Sequence, residues 1–452
     1  MHRDRFAGAA PWGTRRVFLI WPISQVVPEA SGLQPFTFVD KRAKAQAVTA
    51  DEQTALVHIG QTYLYPNYRQ PPLVLVRGEG RRVWDAAGKS YLDLYAGIAV
   101  SALGHAHPDV VNALRSQAER LGHISNYFYN EPNVLLAKEL CQRTGFDRAF
   151  FCNSGTEAIE ALLKLARRHH YARGQQNRYN IIAFERSFHG RTLGALAATG
   201  QAGYREGFGP LAGVIHVPFG DADAVAARLD DSVAGVLVEP VQGEGGVLPA
   251  PPGFLAKLRS LTTAAGALLL GDEIQTGIGR TGRFLGFDHS DVRPDAIALA
   301  KGLGGGFPIG AMLCHKSLEG ALPPGSHGST FGGNPLGSAV ARAVLARIDQ
   351  DGLVERARDH GAHLSLRLTE LVQQHPRSLE GTRGLGLLQA LMLKPAVDAR
   401  QLLDSLRDAG VLLTLAGGSA LRFSPALNIE KSEIDEGVSS LDRVLTRIER
   451  DL

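Results

Sequence analysis

Four apolar runs in this chain end on residues able to do chemistry. "ALLLGDE" ends in Asp272, "AIALAK" in Lys301 and "AGVLVEP" in Glu239, and "AFFCN" runs into Asn153, Ser154, Gly155 and Thr156. A lysine amine condenses with an aldehyde, and a carboxylate placed across a heterocycle holds its ring nitrogen protonated. The Ser154-Gly-Thr-Glu157 stretch has the S-x-x-E spacing of a capping box and opens a strongly helical run. At such an N-terminus the free N–H groups and the helix dipole both favour an anion, a phosphate above all. Glycines after Lys301 leave room for backbone to approach a ligand closely.

Each feature alone has a plainer reading. A lysine beside glycine is usually a surface turn, and S-x-x-E is usually only a well-capped helix. Their convergence carries the inference, because an amine, an acid and a phosphate cradle together are what pyridoxal 5'-phosphate requires. Other motifs fail on inspection. "DAAGKS" resembles the end of a P-loop, but Val83 stands where its first glycine belongs. His105 and His107 in "GHAHP" lack a third ligand at a useful spacing, so a helix start at Pro108 is expected there and no metal.

Positioning these groups requires a scaffold. From about residue 75, short apolar strands alternate with helical patterns such as "TEAIEALLKLARRHH" and "FLAKLRSLTTAAG". That texture predicts an α/β fold with a mostly parallel sheet covered on both faces. In such a sheet ligands gather at the carboxyl ends of the strands, where the four residue groups stand. A smaller mixed α/β segment follows the long helix pattern "NPLGSAVARAVLARIDQDGL". Neither repeats nor low-complexity tracts occur.

The 452 residues suggest two or three domains. With 44% apolar and 21% charged residues and a net charge of +3, nothing points to nucleic acid or a membrane surface. Three scattered cysteines, Cys141, Cys152 and Cys314, fit a reducing compartment, so a cytoplasmic location is expected. The apolar stretch "VFLIWPI" near the N-terminus is too short to span a bilayer. Residues 1–58 read as a poorly ordered extension, or as a start codon placed too early.

From about residue 65 onward the chain resembles the class III aminotransferases, pyridoxal-phosphate-dependent transferases of fold type I, and within them the acetylornithine aminotransferases. The stretches that carry the resemblance are "LVRGEGRRVWDAAGKSYLDLYAGIAVSALGHAHP", "FCNSGTEAIEALLKLAR", "SFHGRTLGALAATG", "VEPVQGEGGV", "GDEIQTGIGRTG", "ALAKGLGGGFPIGA", "HGSTFGGNPL" and "LRFSPAL". The resemblance implies that Lys301 is the Schiff-base lysine and proton carrier, and that Asp272 pairs with the pyridine N–H. It implies further that Gln275 contacts the 3'-oxygen side, Gly155 and Thr156 bind the phosphate, and Phe188 stacks on the ring. Ser329 and Thr330 would reach the site of a partner subunit, Thr330 to the phosphate, which makes the active unit a homodimer.

For the substrate, the resemblance assigns Arg191 to the distal carboxylate with Tyr68 assisting, and Arg422 to the carboxylate beside the reacting amine. Glu244 resembles the family's gate, paired with Arg422 when a donor lacks that carboxylate. Ile98 stands where ornithine aminotransferases usually carry tyrosine, which argues against free ornithine but not against 4-aminobutyrate. The implied activity is transfer of the δ-amino group of N2-acetylornithine to 2-oxoglutarate, a step of arginine biosynthesis. Succinylornithine, N-succinyl-diaminopimelate, ornithine and 4-aminobutyrate are the alternative donors, and an aminomutase the alternative reaction. The implied domains are an extension (1–58), an N-terminal part of the small domain (59–115), a large cofactor domain (116–345) and a C-terminal small domain (346–452).

Overall fold

Runs of Val, Ile, Leu and Ala without polar interruption bury both faces of a strand, and four such runs sit side by side here. The strands Val233–Val238, Leu268–Asp272, Ala296–Leu299 and Gly310–Cys314 are buried at every position. The computed structural model describes residues 50–451, and residues 1–49 lie outside it, with most of the expected extension. The four strands belong to a seven-stranded sheet, whose order is Arg148–Cys152, Gly310–Cys314, Ala296–Leu299, Leu268–Asp272, Val233–Val238, Asn180–Phe184 and Val214–Val217. Pairing is parallel throughout except at Gly310–Cys314, which runs antiparallel to both neighbours. That strand is absent from the expected alternation, because "GAMLC" follows a glycine tract with only the single 3-10 turn Lys301–Gly304 between it and the preceding strand.

Both faces are covered. The helix Gly155–Tyr171 presents Ile159, Leu162, Leu163 and Leu165 to one face, with Ala195 and Ala198 beside them. On the other, Phe254, Leu255 and Leu258 of the helix Phe254–Ala265 pack with Phe184, Val236 and Phe287.

Two smaller sheets flank this layer. Leu75–Glu79, Arg82–Asp85 and Ser90–Asp93 form an antiparallel meander, and the distant Val411–Leu412 pairs parallel to Ser90–Asp93. Leu379–Leu385, Leu388–Leu393, Ala420–Phe423 and Thr414–Ala416 make an antiparallel sheet. The boundary expected at residue 58 falls inside the helix Ala50–Tyr63. His107 caps the helix Pro108–Ala118, accepting the Asp109 N–H, while His105 bonds Asp93 at 2.7 Å. No described helix is long and apolar enough to cross a membrane.

Glu273, directly after the central Leu268–Asp272 strand, ties the strand end to the turn Gly286–His289. Its fully buried carboxylate accepts the Gly286 and Phe287 N–H groups, both at 2.8 Å, and the Thr276 hydroxyl. Burial pushes its carboxyl up to about 7. Glu273→Ala should strand two buried N–H donors and destabilise the protein by about 2 kcal/mol or more. Thermal unfolding of the variant checks this, and an unchanged midpoint would refute it.

Candidate active site

At the carboxyl end of the large sheet lies a cavity of about 390 Å³, and the expected strand-end residues line it. A second cavity of about 370 Å³, edged by Arg143, Arg283 and Arg358, contains none of them.

The anion cradle is built as its spacing predicts. Ser154 caps the helix Gly155–Tyr171 by accepting the Glu157 N–H at 3.3 Å. The Glu157 carboxylate in return accepts the Asn153 N–H and the Ser154 hydroxyl, both at 2.9 Å. First-turn amides of a helix have no acceptor within it, and Gly155 and Thr156 present theirs along the cavity wall. The Thr156 hydroxyl accepts the Arg191 N–H at 3.2 Å and the Thr192 N–H at 3.3 Å, folding the Phe188–Thr192 loop onto the helix start. That approach requires Gly190: its φ is +133°, and a Cβ there would collide with the Thr156 hydroxyl.

Opposite stands Asp272. Its Oδ2 lies 2.7 Å from Nδ1 of His189, and its Oδ1 accepts the Ile274 N–H at 3.0 Å. Burial pushes the His189 imidazole down, but the hydrogen bond and charge of Asp272 outweigh it and leave the group above its ordinary value. Nδ1–H is thus the donor to Asp272, and Nε2 is buried without a partner.

Lys301 follows the Ala296–Leu299 strand after one residue, with φ at +44°, a region lysine rarely visits. Burial, together with Arg422, holds its amine below the usual lysine range despite Glu244, and no described residue hydrogen-bonds it. Such an amine is more readily a neutral nucleophile and base.

Arg422 is almost fully buried and forms a very short ion pair with Glu244. Its remaining donors go to the Gly243 carbonyl and Gln275 Oε1, both at 3.4 Å, and to the Thr414 hydroxyl at 3.3 Å. For Glu244, burial raises the carboxyl, yet Arg422 and Lys301 together hold it below the ordinary glutamate range. Arg191 lies at the exposed cavity rim, its guanidinium 3.8 Å from the Tyr204 ring centre and 5.6 Å from that of Phe188. Arg191 thus lines the cavity itself, while Arg422 stands outside the lining, behind the Glu244 that does line it.

Besides Arg422, three expected residues lie outside the lining. Tyr68 is 75% exposed and outside the lining. Ser329 accepts from the Asn153 side chain at 3.2 Å and the Gly332 N–H at 3.0 Å, also outside it. Thr330 is exposed to solvent. Ile98 sits in a left-handed turn, with φ positive at Ala96, Gly97, Ile98 and Ala99, and Val100 just beyond lines the cavity. Sequence reasoning passed over His189 and Tyr204. A histidine next to Phe188 in "SFHGRT", with an aspartate ending a strand two places along the same sheet, was the available signal for the first.

These groups fit a phosphate-bearing pyridine aldehyde: free amides at a helix start, a buried carboxylate oriented by a histidine, and a lysine without a hydrogen-bond partner. The family comparison agrees, because residues 63–445 match the Aminotransferase class-III family. The chain belongs to the class III aminotransferases. Enzymes of this class use pyridoxal phosphate, which is accordingly the cofactor here. The acetylornithine aminotransferase of Myxococcus xanthus is 47% identical over 402 residues, covering 88% of this chain and all of that one. A solved acetylornithine aminotransferase from Elizabethkingia anophelis superposes with a TM-score of 0.79 at 33% identity, over 87% of this chain and 99% of its own. An ornithine aminotransferase from Toxoplasma gondii, solved with partial PLP occupancy at its active site, gives 0.85 at 33%, over 90% and 96%.

Proposed function

We propose that this class III aminotransferase moves the δ-amino group of N2-acetylornithine to 2-oxoglutarate, giving N-acetylglutamate 5-semialdehyde and glutamate. The observation that carries the reading is the Glu244–Arg422 pair beside Lys301, with Arg191 free at the rim. A guanidinium that is covered or open suits two donors of different shape, one with a carboxylate beside its reacting amine and one without. An aminomutase, which rearranges one substrate, has no use for such a switch. The name of the Myxococcus xanthus relative, an acetylornithine aminotransferase, supports the acylated donor.

Bound pyridoxal phosphate supplies a carbonyl for the incoming amine and a protonated ring that takes up electrons from the breaking C–H bond. Gly155 and Thr156 would hold its phosphate through their amides, Phe188 its ring face, and Gln275 the 3'-oxygen side. Asp272 would keep the ring nitrogen protonated, with His189 fixing the orientation of that carboxylate. The Lys301 Nζ would be the base that takes the proton from the carbon bearing the reacting amine and the acid that returns it in a 1,3-shift. Arg191, assisted by Tyr68, binds the distal carboxylate of either donor. Arg422 binds the near carboxylate of glutamate once Glu244 releases it.

The same reading makes the enzyme a cytoplasmic homodimer in arginine biosynthesis, with Ser329 and Thr330 serving the neighbouring site. It divides the chain at about residues 58, 115 and 345 into extension, small-domain start, large domain and small-domain end. Exposed Tyr63, Tyr65, Tyr127, Phe128 and Tyr129 are the kind of surface a two-fold contact covers. Specific activity should fall on dilution as monomers appear, checked by sedimentation under assay conditions; a fully active monomer would refute the shared site. Glutamate formation from acetylornithine, succinylornithine, ornithine and 4-aminobutyrate tests the substrate, with acetylornithine expected to give the highest kcat/KM.

A further inference from the structure

Glu239 ends the Val233–Val238 strand one residue on, buried between two loops that do different work. Its Oε1 accepts the Phe188 N–H at 3.0 Å, and its Oε2 accepts the Gly243 N–H at 3.3 Å. Phe188 belongs to the loop proposed to seat the cofactor ring, and Gly243 precedes Glu244. We propose that Glu239 is a positioning residue that couples the seat of the cofactor ring to the Glu244 gate, one carboxylate oxygen serving each. This rests on the gate reading given above.

The surroundings leave the gate loop little other freedom. A Cβ on Gly243 would collide with the Gln275 side-chain amide, so the turn passes directly against the residue that Arg422 also touches. The Gly417 N–H holds the Glu244 carbonyl at 2.9 Å, and Arg383 Nε holds the Gly246 carbonyl at 2.7 Å. With the backbone fixed at residues 243, 244 and 246, the gate opens by rotation of the Glu244 side chain. Two N–H donors also draw the Glu239 carboxyl down, against the burial that pushes it up to about 7.

A side chain of similar length without strong acceptors separates coupling from packing. In the holoenzyme, Glu239→Met removes both bonds at nearly constant volume. Two effects are expected together, each roughly 3- to 10-fold, the range for one lost hydrogen bond. The dissociation constant for pyridoxal phosphate, measured by equilibrium dialysis and absorbance, should rise. The ratio of glutamate to acetylornithine half-reaction rates should move toward glutamate, because a loosened Glu244 leaves Arg422 more often open. Hydrogen exchange in peptides covering 186–192 and 241–247 should quicken in both segments. A folded Glu239→Met protein that changes only one segment, or neither, overturns the coupling. If that variant does not fold, Glu239→Gln decides: its amide has one acceptor for two donors, so both readouts should still move, by less, and a change in one alone or in neither overturns the proposal. Should Arg422→Ala show no donor bias, the gate reading falls, while cofactor retention and hydrogen exchange still judge the coupling of the two loops.

Discussion

Lys301→Ala should leave a protein that binds pyridoxal phosphate but turns over about ten-thousand-fold more slowly, the upper range for loss of a general base. The loss is twofold in kind. The amine proposed to join the cofactor aldehyde disappears, and with it the group proposed to carry the proton in the 1,3-shift. The phosphate and ring contacts proposed for Gly155, Thr156 and Phe188 would be untouched, so the cofactor should be retained. The backbone at residue 301 has φ +44° in any case, so alanine inherits the same strain and adds none. Lys301→Arg should be equally inactive, because a guanidinium does not deprotonate. Wild-type protein should be yellow, and its visible band should be lost in both variants. An active Lys301→Ala enzyme would sink the assignment.

Arg422→Ala should separate the two half-reactions. With acetylornithine the reacting carbon carries no carboxylate, so on the proposed reading Arg422 would stay with Glu244 and Arg191 would hold the donor. With glutamate, the α-carboxylate would displace Glu244 from Arg422 while the γ-carboxylate would take Arg191. A lost charge-assisted contact costs about 1.5–3 kcal/mol, hence roughly 10- to 150-fold in the glutamate half-reaction at 1.36 kcal/mol per factor of ten. The acetylornithine half-reaction should change little. Arg191→Ala should impair both, and Glu244→Ala should favour glutamate by leaving Arg422 open. Single-turnover rates for each donor decide the matter. Equal losses for both donors in Arg422→Ala would mean the gate is misassigned.

Much of this site was legible because its parts stand at strand ends, and strand ends are easy to read. Asp272, Lys301 and Glu239 each close an apolar run, and Ser154–Glu157 announces its helix by the capping spacing that the structure forms. The Glu244–Arg422 pair was another matter: Arg422 lies in a strand of a different sheet, and no spacing links it to residue 244. Only the resemblance placed it. What stayed hidden had no local signature. Gly310–Cys314 reverses direction within an otherwise parallel sheet, and a short apolar run does not declare its direction. The left-handed turn at Ala96–Ala99 runs through two alanines and an isoleucine, whose intrinsic preferences oppose it. It is held by tertiary partners: Asp93 Oδ1 accepts the Tyr95 and Ala96 N–H groups, and Ser424 bonds the Tyr95 carbonyl. His189 was overlooked because its partner Asp272 is far away in sequence.

The reversed strand also orders events during synthesis. Arg148–Cys152 leads straight into the Ser154–Thr156 cradle, yet among the described residues its one sheet neighbour is Gly310–Cys314, far downstream. A nascent chain therefore carries an unpaired hydrophobic edge until the ribosome has passed residue 314, a span in which pairing with another chain competes with pairing at home. Closing so long a loop is entropically slow. Cofactor capture must wait for that closure, so regain of yellow colour during refolding should lag behind the recovery of helical signal, timing the insertion of a single strand.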